Sequence, residues 1–289
     1  MIKVLKKSSH IIFFLPALIF LFVGIAYPIV WSINNSFYQW IIGGNPIFVG
    51  LKNYYDIFFG ILSKDFWYSV YITVILTLLT VALQLTIGMG IALLIYDRTQ
   101  NKIIRSIFLL PMVIPPVVSG TIWGNFIYNP SYGILNYVLS FFGVAPQLWT
   151  YSSQQALPSV IVILVWQWTP FVVLLLSAGL ESLPKAPMEA AVIDGASSWQ
   201  IFWYVKVPLL KPVILAVTVL RLMDTLRAFD IIISTTLGGP GRATEILNIM
   251  TYLTAFVHFN MGVASALGTI LFTISLAAVI IMLYILRER

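Results

Sequence analysis

The sequence predicts an all-α integral membrane protein: six transmembrane helices, with a cytoplasmic helix-turn-helix loop between the fourth and fifth. Three observations carry that prediction. Only 9% of the 289 residues are charged and 60% are hydrophobic, whereas a soluble domain carries roughly 25% charged residues. Six stretches reach the roughly 20 apolar residues that cross a hydrocarbon core, and they are too long and unbroken for barrel strands. Lysine and arginine also divide unevenly between the connecting segments.

The expected spans lie near 11–33, 67–96, 104–128, 156–182, 211–235 and 261–286, in one membrane domain covering 1–289. The first follows Lys3, Lys6 and Lys7; its apolar part is too long for a signal peptide and no A-x-A site follows it, so it reads as a retained anchor. With a cytoplasmic N-terminus, the inside segments hold eleven basic residues: Lys3, Lys6, Lys7, Arg98, Lys102, Arg105, Lys185, Lys206, Lys211, Arg287 and Arg289. The outside segments hold Lys52, Lys64 and Arg242. This bias places both termini in the cytoplasm. The outer connection 34–66 has room for a short helix or two. The net charge of +6 is spread over the whole chain, which does not make a nucleic-acid patch.

Prolines are expected to break two spans: Pro111, Pro115 and Pro116 the third, and Pro170 the fourth. Such breaks free backbone groups that must be satisfied by neighbouring helices or a wet cavity. They fit either a packing kink or a bundle bent around a pathway.

The loop 184–210 is too polar to cross a bilayer. Pro184 and Pro187 suit a first helical turn, and a helix through Met188–Asp194 would put Met188, Ala191 and Val192 on one side. Gly195 stops it, and Ser197 or Ser198 caps a second short helix containing Trp199, Phe202, Trp203 and Val205. Pro208 and Pro212 are expected to end that helix and start the fifth span. Two readings fit: interfacial helices on lipid headgroups, or a docking surface. The small residues Ala190, Ala191, Gly195 and Ala196 favour docking, because they allow another protein to approach closely.

Glu189-Ala190-Ala191, Gly195 and Val205-Lys206-Val207-Pro208 together resemble the signature loop of permease subunits of binding-protein-dependent ABC importers. Val205 and Val207 replace the usual Ile and Leu. Two further stretches resemble the carbohydrate-uptake branch: Leu109–Asn136, with Asn129-Pro130-x-x-Gly133, and Leu226–Phe256, with Gly238-Gly239-Pro240-Gly241. The resemblance implies that loop 184–210 forms coupling helices fitting a groove on a cytoplasmic ATPase. Glu189, Ala190, Ala191, Asp194, Gly195, Phe202, Val205, Val207 and Pro208 would make that contact. It implies as partners a second homologous permease, two ABC ATPase subunits that bind ATP and Mg, an extracytoplasmic solute-binding protein and a sugar or polyol. The setting would be a bacterial or archaeal cytoplasmic membrane.

Within the fifth span, Arg221, Asp224, Arg227 and Asp230 recur every three residues with alternating sign and sum to zero. On one continuous helix each would have an opposite partner within reach. A self-neutralising ladder and the lining of a hydrated path both fit. Trp123, Asn125, Trp166 and Gln167 supply the flat faces and amides that a sugar requires.

No Walker A sequence and no H-E-x-x-H occur, and His10 and His258 are too few to build a metal site. No catalytic set can be assembled in the spans, so the chain is expected not to be an enzyme and to hold no cofactor. The alternative reading is an ion- or proton-driven secondary transporter acting without an ATPase. Such a protein would need intramembrane acids left free for ion coupling.

Overall fold

The computed structural model describes residues 14–96 and 102–287. Lys3, Lys6, Lys7, His10, Arg98, Arg289 and residues 11–13 of the first expected span lie outside the described residues. Among the described residues, four helices are long and apolar enough to cross a membrane: α1 (Phe14–Asn35), α3 (Ser63–Tyr96), α7 (Ala156–Glu181) and α13 (Met261–Arg287). The protein is therefore an integral, mostly helical membrane protein.

Two compact units are present, Met1–Trp67 with Met250–Ile274, and Tyr68–Ile249 with Ser275–Arg289. In the first, α1 ends in an antiparallel strand pair, β1 (Tyr38–Gln39) and β2 (Ile47–Phe48). At two residues each, these strands are too short to show an alternation. Helix α2 (Lys52–Phe58) is clamped beneath them: Asn53 Nδ2 donates to the carbonyls of Ser36 and Tyr38, both at 2.8 Å.

The second unit is built around α7, whose apolar side chains pack with α3 and α10 (Val207–Leu226). Ala92, Val172, Leu176, Leu180, Leu210 and Val217 form that core. The third expected span is indeed broken, into α4 (Lys102–Val113) and α5 (Pro116–Ile122), the latter continued by a π turn through Ile127. The break falls at Ile114 and Pro115, however, and Pro111 lies within α4. Pro170 does not interrupt α7, which runs unbroken from Ala156 to Glu181. Proline removes a single intrahelical bond, and burial of much of α7 keeps the helix intact across that gap.

The fifth span departs further from expectation. Helix α9 (Ser198–Ile201) passes through a π turn, Phe202–Lys206, straight into α10, so Pro208 and Pro212 do not separate loop from span. The π turn shifts the bonding register, with Val207 N–H on the Phe202 carbonyl, and Pro208 follows where a missing N–H costs least. At the other end α10 stops at Leu226, and the chain restarts as α11 (Asp230–Thr235). The Arg227 carbonyl freed there accepts from Asn248 Nδ2 at 3.2 Å.

After α5 the chain forms α6 (Ile134–Ser140), held by Asn136. Its Nδ2 donates to the carbonyls of Pro130 (3.1 Å) and Gln147 (2.9 Å). Its Oδ1 accepts from Gln147 N (3.0 Å) and Trp149 Nε1 (2.9 Å). Asn136→Ala removes four half-buried hydrogen bonds and is expected to cost about 4 kcal/mol, at the rate of about 1 kcal/mol per lost bond. A fall in the melting temperature of the detergent-purified protein, with faster proteolysis between residues 130 and 149, checks this.

Candidate functional site

A cavity of about 370 Å³ opens in the second unit where the broken helices meet α7. Pro116 of α5, Trp168 of α7, Arg221 and Asp224 of α10, and Arg227 and Asp230 at the unwound junction line it. The four charges of residues 221–230 thus border one cavity. Their pairing differs from the expected ladder.

Arg221 is only 1% exposed, donates from Nη1 to Asp224 Oδ2 at 3.1 Å, and lies with Cζ 4.8 Å from the centre of the Trp168 ring. A buried guanidinium needs this degree of compensation. The ladder ends at that pair. Helix α10 unwinds after Leu226, which destroys the three-residue spacing between Asp224, Arg227 and Asp230. Arg227 instead turns Nε back to the Met223 carbonyl at 3.3 Å, and Asp230 stays exposed at the start of α11.

The four uncharged candidates fall elsewhere. Gln167 is fully buried and donates from Nε2 to the Ile114 carbonyl at 2.7 Å, satisfying the group freed by the Pro115 break. Trp123 packs edge-on against Trp166, with ring centres 5.4 Å apart, and against Tyr128 at 5.2 Å. Trp166 lines a separate apolar cavity of about 300 Å³ with Phe108, Pro111 and Pro170. Asn125 is exposed and does not border the charged cavity. The aromatic residues that do border it are Trp168 and Phe229. Residues 166 and 168 point to nearly opposite sides of a helix at 3.6 residues per turn.

Sequence reasoning also missed Gln84 and Gly120. Gln84 is a lone amide in an apolar span and is fully buried, with Oε1 3.0 Å from Arg221 Nε. Gly120 and Gly124 form a small-x-x-x-small pair that brings α11 against α5: a Cβ at Gly120 would overlap Ser234 Oγ. Both signals were present in the sequence.

In the loop, residues 186–201 form two short helices joined at a glycine turn. Helix α8 (Ala186–Ile193) carries Pro187 in its first turn, and Gly195 takes φ +80° after it. Ser197 caps α9 in a capping box: Ser197 Oγ accepts from Gln200 N at 3.3 Å, and Gln200 Oε1 accepts from Ser197 N at 2.8 Å. No residue of α8, α9 or the π turn is buried. Met188 and Ala191 are half-covered, whereas Val192, expected beside them, is 62% exposed and Ile193 is 85% exposed. Around Gly195 a Cβ would meet nothing within 4 Å. Glu189, Ala190, Asp194 and Pro208 are exposed, while Phe202, Val205 and Val207 are half-buried.

Residues 84–289, which include both the cavity and the loop, match the family described as binding-protein-dependent transport system inner membrane component. The chain belongs to this family. It is 36% identical over 281 residues to the trehalose/maltose transport system permease protein MalF of Thermococcus litoralis, covering 95% of this chain and 92% of the relative. It is 31% identical to the sulfoquinovosyl glycerol transport system permease protein SmoG of Agrobacterium fabrum, covering 95% and 89%. The fold matches that of a solved bacterial ABC transporter chain involved in import of the acidic polysaccharide alginate. The TM-score is 0.84 at 23% identity, over 99% of this chain and 98% of that one. As a binding-protein-dependent permease, the chain is a transport component and not an enzyme in its own right.

Proposed function

We propose that this permease forms half of the translocation path for a sugar or polyol in an ATP-driven importer, and that loop 184–210 couples it to a cytoplasmic ATPase. The single observation that carries the coupling is an exposed helix-turn-helix loop whose second helix is continuous with α10. A rigid connection of that kind transmits a displacement of the loop into the bundle. Glu189, Ala190, Ala191, Asp194 and Gly195 face the ATPase; Phe202, Val205, Val207 and Pro208 join that contact to α10.

The whole chain acts as one permease domain of six spans, the third and fifth discontinuous, with both termini cytoplasmic. The excess of basic residues on the loop side supports that orientation. Helices broken at membrane depth, with their freed carbonyls held by Gln167 and Asn248, suit a path for a polar solute. Arg221, Asp224, Arg227 and Asp230 line it. The sugar reading draws on the relatives named above. A second homologous permease, two ATPase subunits that bind ATP and Mg, and an extracytoplasmic solute-binding protein complete the complex in the cytoplasmic membrane.

Affinity purification through a tag on this chain is expected to bring down an ATPase and a second permease. Uptake into proteoliposomes should then require both ATP and the solute-binding protein. Uptake driven by a proton or sodium gradient, with no ATP, would refute the assignment in favour of a secondary transporter.

A further inference from the structure

Gln84 spends both ends of its amide inside the bundle. Oε1 accepts from Arg221 Nε at 3.0 Å, and Nε2 donates to the Leu164 carbonyl at 2.9 Å. One fully buried side chain thus joins α3, α7 and α10. Arg221 has three contacts in three directions: Gln84 on Nε, Asp224 on Nη1, and the Trp168 ring against its flat face. Two hydrogen bonds and a stacked ring fix a guanidinium in both plane and rotation.

Arg221 borders the cavity yet is almost entirely enclosed, whereas Asp224, Arg227 and Asp230 on the same wall are exposed. A guanidinium with a free fork would be the strongest anion ligand in that wall. Here Nε and Nη1 are already engaged. We infer that Gln84 is a positioning residue: by accepting the Arg221 Nε–H it holds the guanidinium against Trp168 and Asp224 and keeps it from the cavity. At Arg221 the wall then presents a compensated ion pair in place of a free guanidinium, beside exposed Arg227 and Asp230. The reading of that wall as a path rests on the function proposed above; the arrangement of Gln84 and Arg221 does not.

The competing role is a packing tie, in which only the bond from Gln84 to the Leu164 carbonyl matters. The two roles separate in the assembled, solute-free transporter treated with phenylglyoxal, with adducts at Arg221 read by mass spectrometry against Arg227 as internal reference. Wild-type Arg221 is expected to be protected and Arg227 modified. Gln84→Met keeps the length and removes both the acceptor for Arg221 and the donor to Leu164. It should raise Arg221 modification by roughly tenfold or more, since a bond to a charged group is worth at least that factor. Gln84→Glu keeps an acceptor for Arg221 but gives up the donor to Leu164, and should restore protection.

Both variants lack the donor to the Leu164 carbonyl, so a packing tie predicts Arg221 exposed equally in both. Equal modification in the two variants, or protection of Arg221 in Gln84→Met, overturns the inference. Gln84→Asn, one methylene shorter, stands in if Gln84→Met does not assemble; protection of Arg221 there is equally adverse. Because no solute is present, a negative result leaves the proposed path standing. Loss of the path reading through uptake measurements likewise leaves the labelling result intact.

Discussion

Glu189→Lys is expected to reduce ATP-driven uptake by at least about thirtyfold while the protein still inserts and assembles its membrane core. Glu189 is exposed in the first turn of α8, where a carboxylate is favoured by the helix dipole and touches no other element of its own chain in a way that folding needs. Reversing its charge therefore costs the isolated chain only a few tenths of a kcal/mol. At a docked interface the same change replaces an attraction by a repulsion, and disrupting one buried charge pair costs about 2–5 kcal/mol. Gly195→Trp attacks the same joint by shape: φ +80° strains any side chain, and the open space around the glycine is where a partner must come close. Uptake and ATP hydrolysis measured separately in vesicles give the readout, with hydrolysis persisting after uptake is lost. Full uptake by both variants at wild-type membrane levels would mean that the loop couples to nothing.

The loop was legible because its form follows from local rules. Pro187 belongs in a first turn, Gly195 accepts a left-handed conformation, and Ser197 finds Gln200 three residues on. The four charges were legible as a set because charge in an apolar span is costly and stands out. Their pairing was not, since it depends on where α10 unwinds. The Arg227 carbonyl released there is taken by Asn248, on a different helix, and no pattern within residues 221–230 encodes that partner. Proline misled in the same way. Pro115 breaks its helix and Pro170 does not, and the difference lies in the surroundings: the Ile114 carbonyl is collected by Gln167, while α7 is packed on several sides. The choice of Trp166 over Trp168 failed for want of orientation. The two rings share a helix, but only the arrangement of α3, α7 and α10 decides which one meets Arg221.

The contact between α5 and α11 sets the width of the cavity, and Gly120 sets that contact. A Cβ at Gly120 would overlap Ser234 Oγ and stand 3.0 Å from the Ile231 carbonyl. Ser234 cannot rotate away freely, because its hydroxyl donates to the Asp230 carbonyl at 2.7 Å. The helices must separate instead. Gly120→Ala is expected to cost about 1–3 kcal/mol, the usual range for overpacking, and Gly120→Val more. Gly124→Ala, whose Cβ would sit at an ordinary 3.5 Å from Thr235, should be nearly neutral. Gly90→Ala, in open space within α3, should gain up to about 1 kcal/mol from helix propensity. Melting temperatures of the four variants in one detergent test the order. The consequence reaches the cavity because Pro116 lies on one side of the contact and Asp230 and Ile231 on the other. Pushing α5 and α11 apart moves both walls. Uptake should therefore fall in Gly120→Ala at temperatures where the protein is still folded, and remain normal in Gly124→Ala. Equal stability and equal uptake in these two alanine variants would show that the close approach at Gly120 neither holds the helices together nor shapes the path.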